Sequence, residues 1–235
     1  MHKTALVAFS KDPTRSEVKT RLSEKFSKAD RVSIYTALLE DFLAELTRLP
    51  RSLDTESYLA CHPNKESLFY KNLEREFDIF LIDQEGFDLG KKMARVMDNL
   101  LKEHSKVIIF GTDTPLIPFA DVLQAIASTD WHVLIGPSFD GGYYSIGVDS
   151  SISTKLPNGC ESLFEGVKWS TDNVLSRTIS NCRSSGLKVK ELPPARDIDR
   201  ASDLDYLIAN LDNANRCRLP RLTKCLESLH MVANK

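Results

Sequence analysis

The amino-acid sequence predicts an α/β protein, a three-layer α/β/α sandwich around a mixed, mostly parallel sheet. Three observations predict it. The chain has 235 residues and 42% hydrophobic content, enough to bury one sizeable core. Short apolar runs alternate with stretches of helical spacing through residues 4–127, the rhythm of a wound sheet. No Pro- or Gly-rich linker, low-complexity tract or internal repeat interrupts the chain. Residues 1–235 therefore read as one domain, with 212–235 as a C-terminal helical extension.

Thr4 to Phe9 is a continuous apolar run, as expected of a strand buried on both faces. Ser27 suits the cap of a helix whose apolar positions Val32, Tyr35, Leu39, Phe42, Leu46 and Leu49 recur at helical spacing until Pro50 ends the pattern. The alternation then repeats: strand Tyr58 to Cys61 with helix Glu66 to Phe77, strand Ile79 to Ile82 with helix Leu89 to Leu101, and strand Val107 to Phe110 with helix Phe119 to Ala127. Trp131 to Ile135 and Tyr143 to Val148 are strand-like runs too close together for a helix between them, so one of the two is predicted to run antiparallel. Ser170 is placed to cap a helix from Thr171 to Cys182, which Gly186 stops, and Leu187 to Leu192 reads as the last strand. Asp203 to Leu211 and Leu222 to Met231 close the chain as helices.

Composition narrows the function. Lys+Arg of 31 against Asp+Glu of 33 leaves a formal net charge of -2, which gives no long-range pull on a nucleic acid or an anionic membrane. The N-terminal apolar stretch is too short for a signal peptide and no segment is long enough to span a bilayer, so a soluble cytoplasmic protein with small-molecule partners is expected. The five cysteines are scattered without a C-x-x-C pair, and the five histidines lack ligand spacing. Disulfide and transition-metal chemistry are not predicted.

In an open α/β sheet, ligands sit beyond the carboxyl ends of the strands. The loop after the first strand, from Lys11 through Arg15 and Lys19 to Arg21, brings cations there, which suits a polyphosphate and equally suits a solvated charged loop. It is neither a Walker A loop nor a G-x-G-x-x-G turn. In Gly111-Thr-Asp113-Thr-Pro115, a carboxylate follows a strongly apolar strand, placed either to hold Mg2+ against phosphates or to shape a turn. Asp140-Gly141-Gly142 offers a second carboxylate and close backbone approach, and is also a hairpin-turn signal. Asp197 and Asp199 lie two apart, so extended backbone would aim them alike. One is a candidate to complete a metal site with Asp113, although helix capping by Ser202 or Asp203 explains the same segment.

Taken in order, A-F-S-K-D-P-T-R-S-E-V-K-T-R-L, G-T-D-T-P, G-P-S-F-D-G-G-Y-Y-S-I-G, L-F-E-G-V-K-W-S-T and D-I-D-R-A-S-D-L resemble the bacterial glycosyltransferase-like family of radical-SAM/selenodomain-associated transferases, over residues 5 to 210. That family belongs with the nucleotide-diphospho-sugar transferases of GT-A fold. The resemblance implies Lys11, Lys19, Arg21 and Thr112 as phosphate or nucleotide ligands and Asp113 and Asp199 as ligands of Mg2+ or Mn2+. It implies Asp140 and Lys19 as catalytic groups, Gly141 and Gly142 on the acceptor side, and a structural role for Trp169, Ser170 and Thr171. The chain departs from the family where Arg15-Ser16-Glu17 replaces Pro-Gly-Arg, leaving no glycine between Ser10 and Arg21 and placing an acid beside the expected anion. The leading expectation is metal-dependent glycosyl transfer from a nucleotide-sugar to a small acceptor, with Asp140 as base. The alternatives are nucleotidyl transfer, guanylyl or cytidylyl, from a nucleoside triphosphate to a small phosphorylated acceptor, and non-catalytic nucleotide binding.

Overall fold

The computed structural model describes residues 3–49 and 54–232. It forms strands β1 (Thr4–Lys11), β2 (Thr55–His62), β3 (Phe80–Asp83), β4 (Lys106–Gly111), β5 (Val133–Pro137), β6 (Tyr143–Asp149) and β7 (Val189–Glu191). Helices α1 (Lys28–Thr47), α2 (Leu68–Phe77), α3 (Leu89–Leu100) and α4 (Phe119–Ala127) alternate with the first five strands. Helix α5 (Val174–Ser184) leads into β7, and α6 (Ala201–Ala209), α7 (Asn213–Arg218) and α8 (Pro220–Ser228) complete the chain.

The seven strands make one sheet in the order β3-β2-β1-β4-β6-β5-β7. β6 pairs antiparallel with both β4 and β5, and every other pairing is parallel, so the predicted antiparallel strand is β6. Alternation in β1 sends Leu6 and Ala8 to the side of α1, α2 and α4, and Ala5 and Val7 to the side of α3 and α5. Both faces are buried, which is why the strand reads as an unbroken apolar run. After β1 the chain winds outward through β2 and β3, then returns to place β4 on the other side of β1. The switch point thus lies between the carboxyl ends of β1 and β4.

Local chemistry accounts for most element boundaries. Ser27 and Asp30 form the capping box that starts α1, while Pro50, its expected stop, lies outside the described residues. The helix expected from Thr171 begins instead at Val174, after Asn173. Ser170 does not cap it, because this residue sits in left-handed backbone (φ 63°) and Thr171 Oγ1 turns back to donate to Lys168 O at 2.8 Å. Trp131 precedes the strand rather than opening it: its ring is buried beneath α4, with the indole N–H donating to Ala125 O at 2.8 Å.

α6 starts at Ala201 because Asp203, three residues in, accepts from the backbone N–H groups of Asp199 and Arg200. α7 was not predicted. α8 is capped from outside itself, with the buried Asp41 of α1 accepting from Arg221 N and Leu222 N at 3.1 and 2.9 Å. Together α6 and α8 pack Leu204, Leu207, Leu222 and Leu226 against Ile34 and Leu38 of α1 in a third apolar cluster. Among the described residues, no helix is long and apolar enough to cross a membrane.

Candidate active site

The loops at the carboxyl ends of β1 and β4 enclose a cavity of about 280 Å³ at the switch point. Lys11, Lys19, Thr112, Asp113 and Asp199 all line it, so the structure gathers five of the expected residues from segments up to 188 positions apart (Lys11 to Asp199). Arg21 reaches the same rim through an ion pair with Asp199.

Formation of the first loop without glycine has a visible mechanism. Asp12 is fully buried, its Oδ1 accepting from Thr14 N at 2.8 Å and Thr14 Oγ1 at 2.6 Å, and its carbonyl accepts from Arg15 N and Ser16 N. Lys11 is fastened by Tyr35, whose hydroxyl accepts from Lys11 N at 2.7 Å and donates to Lys11 O at 3.0 Å. Lys19 itself takes the left-handed conformation (φ 49°) that glycine adopts more readily, at a cost of about 1 kcal/mol. Its side chain is 4% exposed, with Nζ 2.5 Å from Asp113 Oδ1 and donating to Ile198 O. Glu17 adds less unbalanced negative charge than its position suggests, because Lys28 and Arg31 pair with it at 2.7 and 3.7 Å.

The D-I-D segment is positioned by the residue between its acids. Ile198 is 1% exposed within the cluster formed by α1, α6 and α8, and its N–H donates to Asp113 O at 2.8 Å. This ties the loop after β7 to the loop after β4 and puts Asp199 beside Arg21. Thr112 is buried, and its hydroxyl donates to Phe9 O at 3.3 Å, holding β4 to β1 at the cavity floor.

Asp140 stands on the β5–β6 hairpin, exposed, its Oδ1 accepting from Gly142 N at 2.9 Å and from Ser138 Oγ. A single bridge between Ser138 and Ala195 aligns this hairpin with the segment carrying Asp197. Burial together with the charges of Asp140, Asp203 and Asp199 pushes the Asp197 carboxyl up to about 6. Gly141 has a packing requirement: at φ 87° a Cβ would fall 2.3 Å from Asp172 O, and its carbonyl accepts from Leu175 N. Trp169 packs against Phe164 with ring centroids 6.0 Å apart.

Each expected metal ligand meets a cation, Asp113 through Lys19 and Asp199 through Arg21. Among the described residues, no three carboxylate, histidine or cysteine side chains converge as a preformed metal centre. Sequence reading missed Tyr35, Gln84 and Leu89, all lining the cavity. Tyr35 was hidden within an apolar helical stripe. Gln84, whose amide donates to Ser10 O and Ala60 O at 2.8 Å each, stands directly after β3, where the strand-end rule would have found it.

The fold has counterparts among known proteins. A curated relative, the 2-phospho-L-lactate guanylyltransferase of Methanothermobacter thermautotrophicus, is 26% identical over 195 residues, covering 82% of this chain and 79% of its own. A crystal structure from Desulfovibrio desulfuricans G20, of a candidate nucleotide-diphospho-sugar transferase, superposes with a TM-score of 0.83 at 27% identity, covering 97% of both chains. The inositol-1-phosphate CTP transferase of T. maritima shares the fold alone, with a TM-score of 0.53 at 12% identity over 95% of this chain and 97% of its own. Residues 45–171, more than half of the sequence, match one family description, and the chain belongs to that family, "Uncharacterized protein conserved in bacteria (DUF2064)", with the fold of the nucleotide-diphospho-sugar transferases.

Proposed function

We propose that this chain is a nucleotidyltransferase, joining a nucleoside monophosphate from a nucleoside triphosphate to a small phosphorylated acceptor. The observation that carries the reading is the cavity at the β1–β4 switch point, where Lys19 and Arg21 stand opposite Asp113 and Asp199. A guanylyltransferase among its relatives supports the same ordering of the alternatives. In this reaction an acceptor phosphate oxygen bonds to the α-phosphorus, the bond to the bridging oxygen breaks, and pyrophosphate leaves. A dianionic acceptor needs no base, only positioning and charge neutralisation.

Lys19 is held for that task by Ile198 O and Asp113, and Arg21 by Asp199. Arg21 can grip phosphate oxygens in pairs, while Lys19 acts as a point charge. Asp113 and Asp199 would hold Mg2+ or Mn2+: two carboxylates facing one cavity suit an ion that keeps waters and takes its remaining ligands from phosphate. When bound there, the ion supplies neutralisation of the phosphate charge. The two ion pairs keep both carboxylates compensated without it.

A second reading, glycosyl transfer from a nucleotide-sugar, has one observation in its favour. Asp197, with its raised carboxyl beside Asp140, has the proton affinity of a base for an acceptor hydroxyl. The two readings part on products. Incubation with each nucleoside triphosphate, Mg2+ or Mn2+ and a panel of small phosphorylated hydroxy acids and sugars is expected to release pyrophosphate only when both substrates are present. Release of a nucleoside diphosphate from a nucleotide-sugar, with no pyrophosphate from any triphosphate, would overturn the nucleotidyl reading.

A further inference from the structure

The alternation that buries β1 and β2 continues to their last residues. Odd positions of β1 and even positions of β2 face α3, and in the parallel register Lys11 lies opposite His62. Both therefore extend the α3-side layer just where its apolar residues end. From α3, Lys92 meets them, its Nζ donating to His62 Nδ1 at 3.1 Å. Lys92 lies one helical turn after Leu89, which together with Lys11 lines the active-site cavity.

Three nitrogen groups from three elements thus share one corner without an acid. Among the described residues, no carboxylate lies within salt-bridge distance of Lys11 or Lys92, whereas Lys19 and Arg21 at the same cavity are both paired. The acid at the end of β3, Asp83, is in register with Cys61 and so belongs to the opposite face. Burial and the neighbouring lysine charges hold both His62 and Lys92 below their usual values. Such a cluster is a poor way to close a core and a good way to receive an anion.

We propose that Lys11, His62 and Lys92 form a phosphate subsite at the β1–β2–α3 corner, adjoining the cavity through Lys11 and taking a phosphoryl group with two negative charges. The assignment rests on the reading of the cavity as a nucleotide site. Such a group has two sources, the triphosphate tail of the donor and the phosphate of the acceptor.

Titration calorimetry of the full chain with pyrophosphate tests it. Lys92→Gln is expected to weaken pyrophosphate binding about tenfold or more, with the melting temperature unchanged, and Lys92→Arg to restore it. In the wild type, pyrophosphate is expected to move the His62 imidazole NMR signals toward the protonated form, which a purely structural Lys92–His62 contact would not do. Absence of pyrophosphate binding in the wild type, or equal binding by Lys92→Gln, overturns the proposal. Loss extending to a nucleoside triphosphate but not its monophosphate assigns the donor's tail. Loss only of inorganic phosphate binding to triphosphate-saturated protein assigns the acceptor. Lys92-dependent pyrophosphate binding without pyrophosphate release from any triphosphate would sink the nucleotidyl reading and leave the subsite standing.

Discussion

The two ends of the sheet handle charge in opposite ways. At the amino ends of the parallel strands, Glu56 accepts from Lys3 Nζ at 2.6 Å, His104 Nε2 at 2.8 Å and the Tyr58 hydroxyl at 2.9 Å. His104 is 4% exposed, and its other nitrogen faces Leu100 O at 2.9 Å, so the buried ring is fixed from both sides. Nearby, buried Lys106 donates to the carbonyls of Ile126 and Ser128 at 2.6 Å each. At the carboxyl ends, Asp197 shares its surroundings with three other acids, Lys11 and Lys92 crowd one histidine, and Lys19 adopts left-handed backbone. One end is arranged for stability. The other accepts local repulsion, the pattern expected where a charged ligand completes the structure.

The sharpest way to break that comparison is to remove Asp113. If the carboxyl end is arranged for chemistry, Asp113→Ala is expected to lower the rate of pyrophosphate release by about 100-fold or more, with a smaller loss of stability than Glu56→Gln, because the carboxylate is half-exposed and the buried Lys19 keeps its hydrogen bond to Ile198 O. Equal turnover in the variant would remove Asp113 from the mechanism. A large loss of stability would show that this end, too, is structural.

The converse substitution, Glu56→Gln, is expected to cost about 2 kcal/mol of stability by denaturant unfolding, since it removes the charged acceptor shared by Lys3, Tyr58 and the buried His104, while turnover stays intact. Hydrogen bonds from Lys3 and His104 hold the Glu56 carboxyl down at about 2, against an ordinary 4.5. Its folded value lies below its unfolded one, so the stabilisation is complete above about pH 4.5 and drains away as pH falls toward 2. The wild-type advantage over Glu56→Gln should shrink in that window. A constant difference across it would separate Glu56 from the acid sensitivity.

What the sequence disclosed divides along the same line. β1, β4 and α1 were legible because burial on both faces, or a capping box at Ser27, writes itself into residue type at short range. The carboxyl-end loops were legible as places, and Lys11, Lys19, Asp113 and Asp199 do meet at one cavity. Their partners were not legible. Pairing of Lys19 with Asp113 spans 94 positions and that of Arg21 with Asp199 spans 178, and neither spacing leaves a local pattern. Lys92 looked like any cation in the polar stripe of a helix, and only the register of β1 against β2 puts His62 and Lys11 before it. The start of α5 was not legible for a related reason, because Asp172 packs against Gly141 of the β5–β6 hairpin and Leu175 N, in the first turn of the helix, donates to Gly141 O.

The smallest effect has the opposite sign and tests the comparison most directly. The Asp197 carboxyl, pushed up to about 6 by burial and by Asp140, is raised relative to its unfolded value near 3.8. Between those values the folded chain binds more protons than the unfolded one, so this residue's contribution to stability falls as pH rises from about 3.8 to 6 and stays unfavourable above. Asp197→Asn removes the charge while keeping the shape, and is expected to stabilise the protein by about 1 kcal/mol at pH 7, a figure reduced for solvent screening. The gain should vanish near pH 4. If saturating Mg2+ or a nucleoside triphosphate erases it at pH 7, the repulsion is what ligand binding relieves; a variant less stable than the wild type at pH 7 would mean that the carboxylate at this end is as well partnered as Glu56 is at the other.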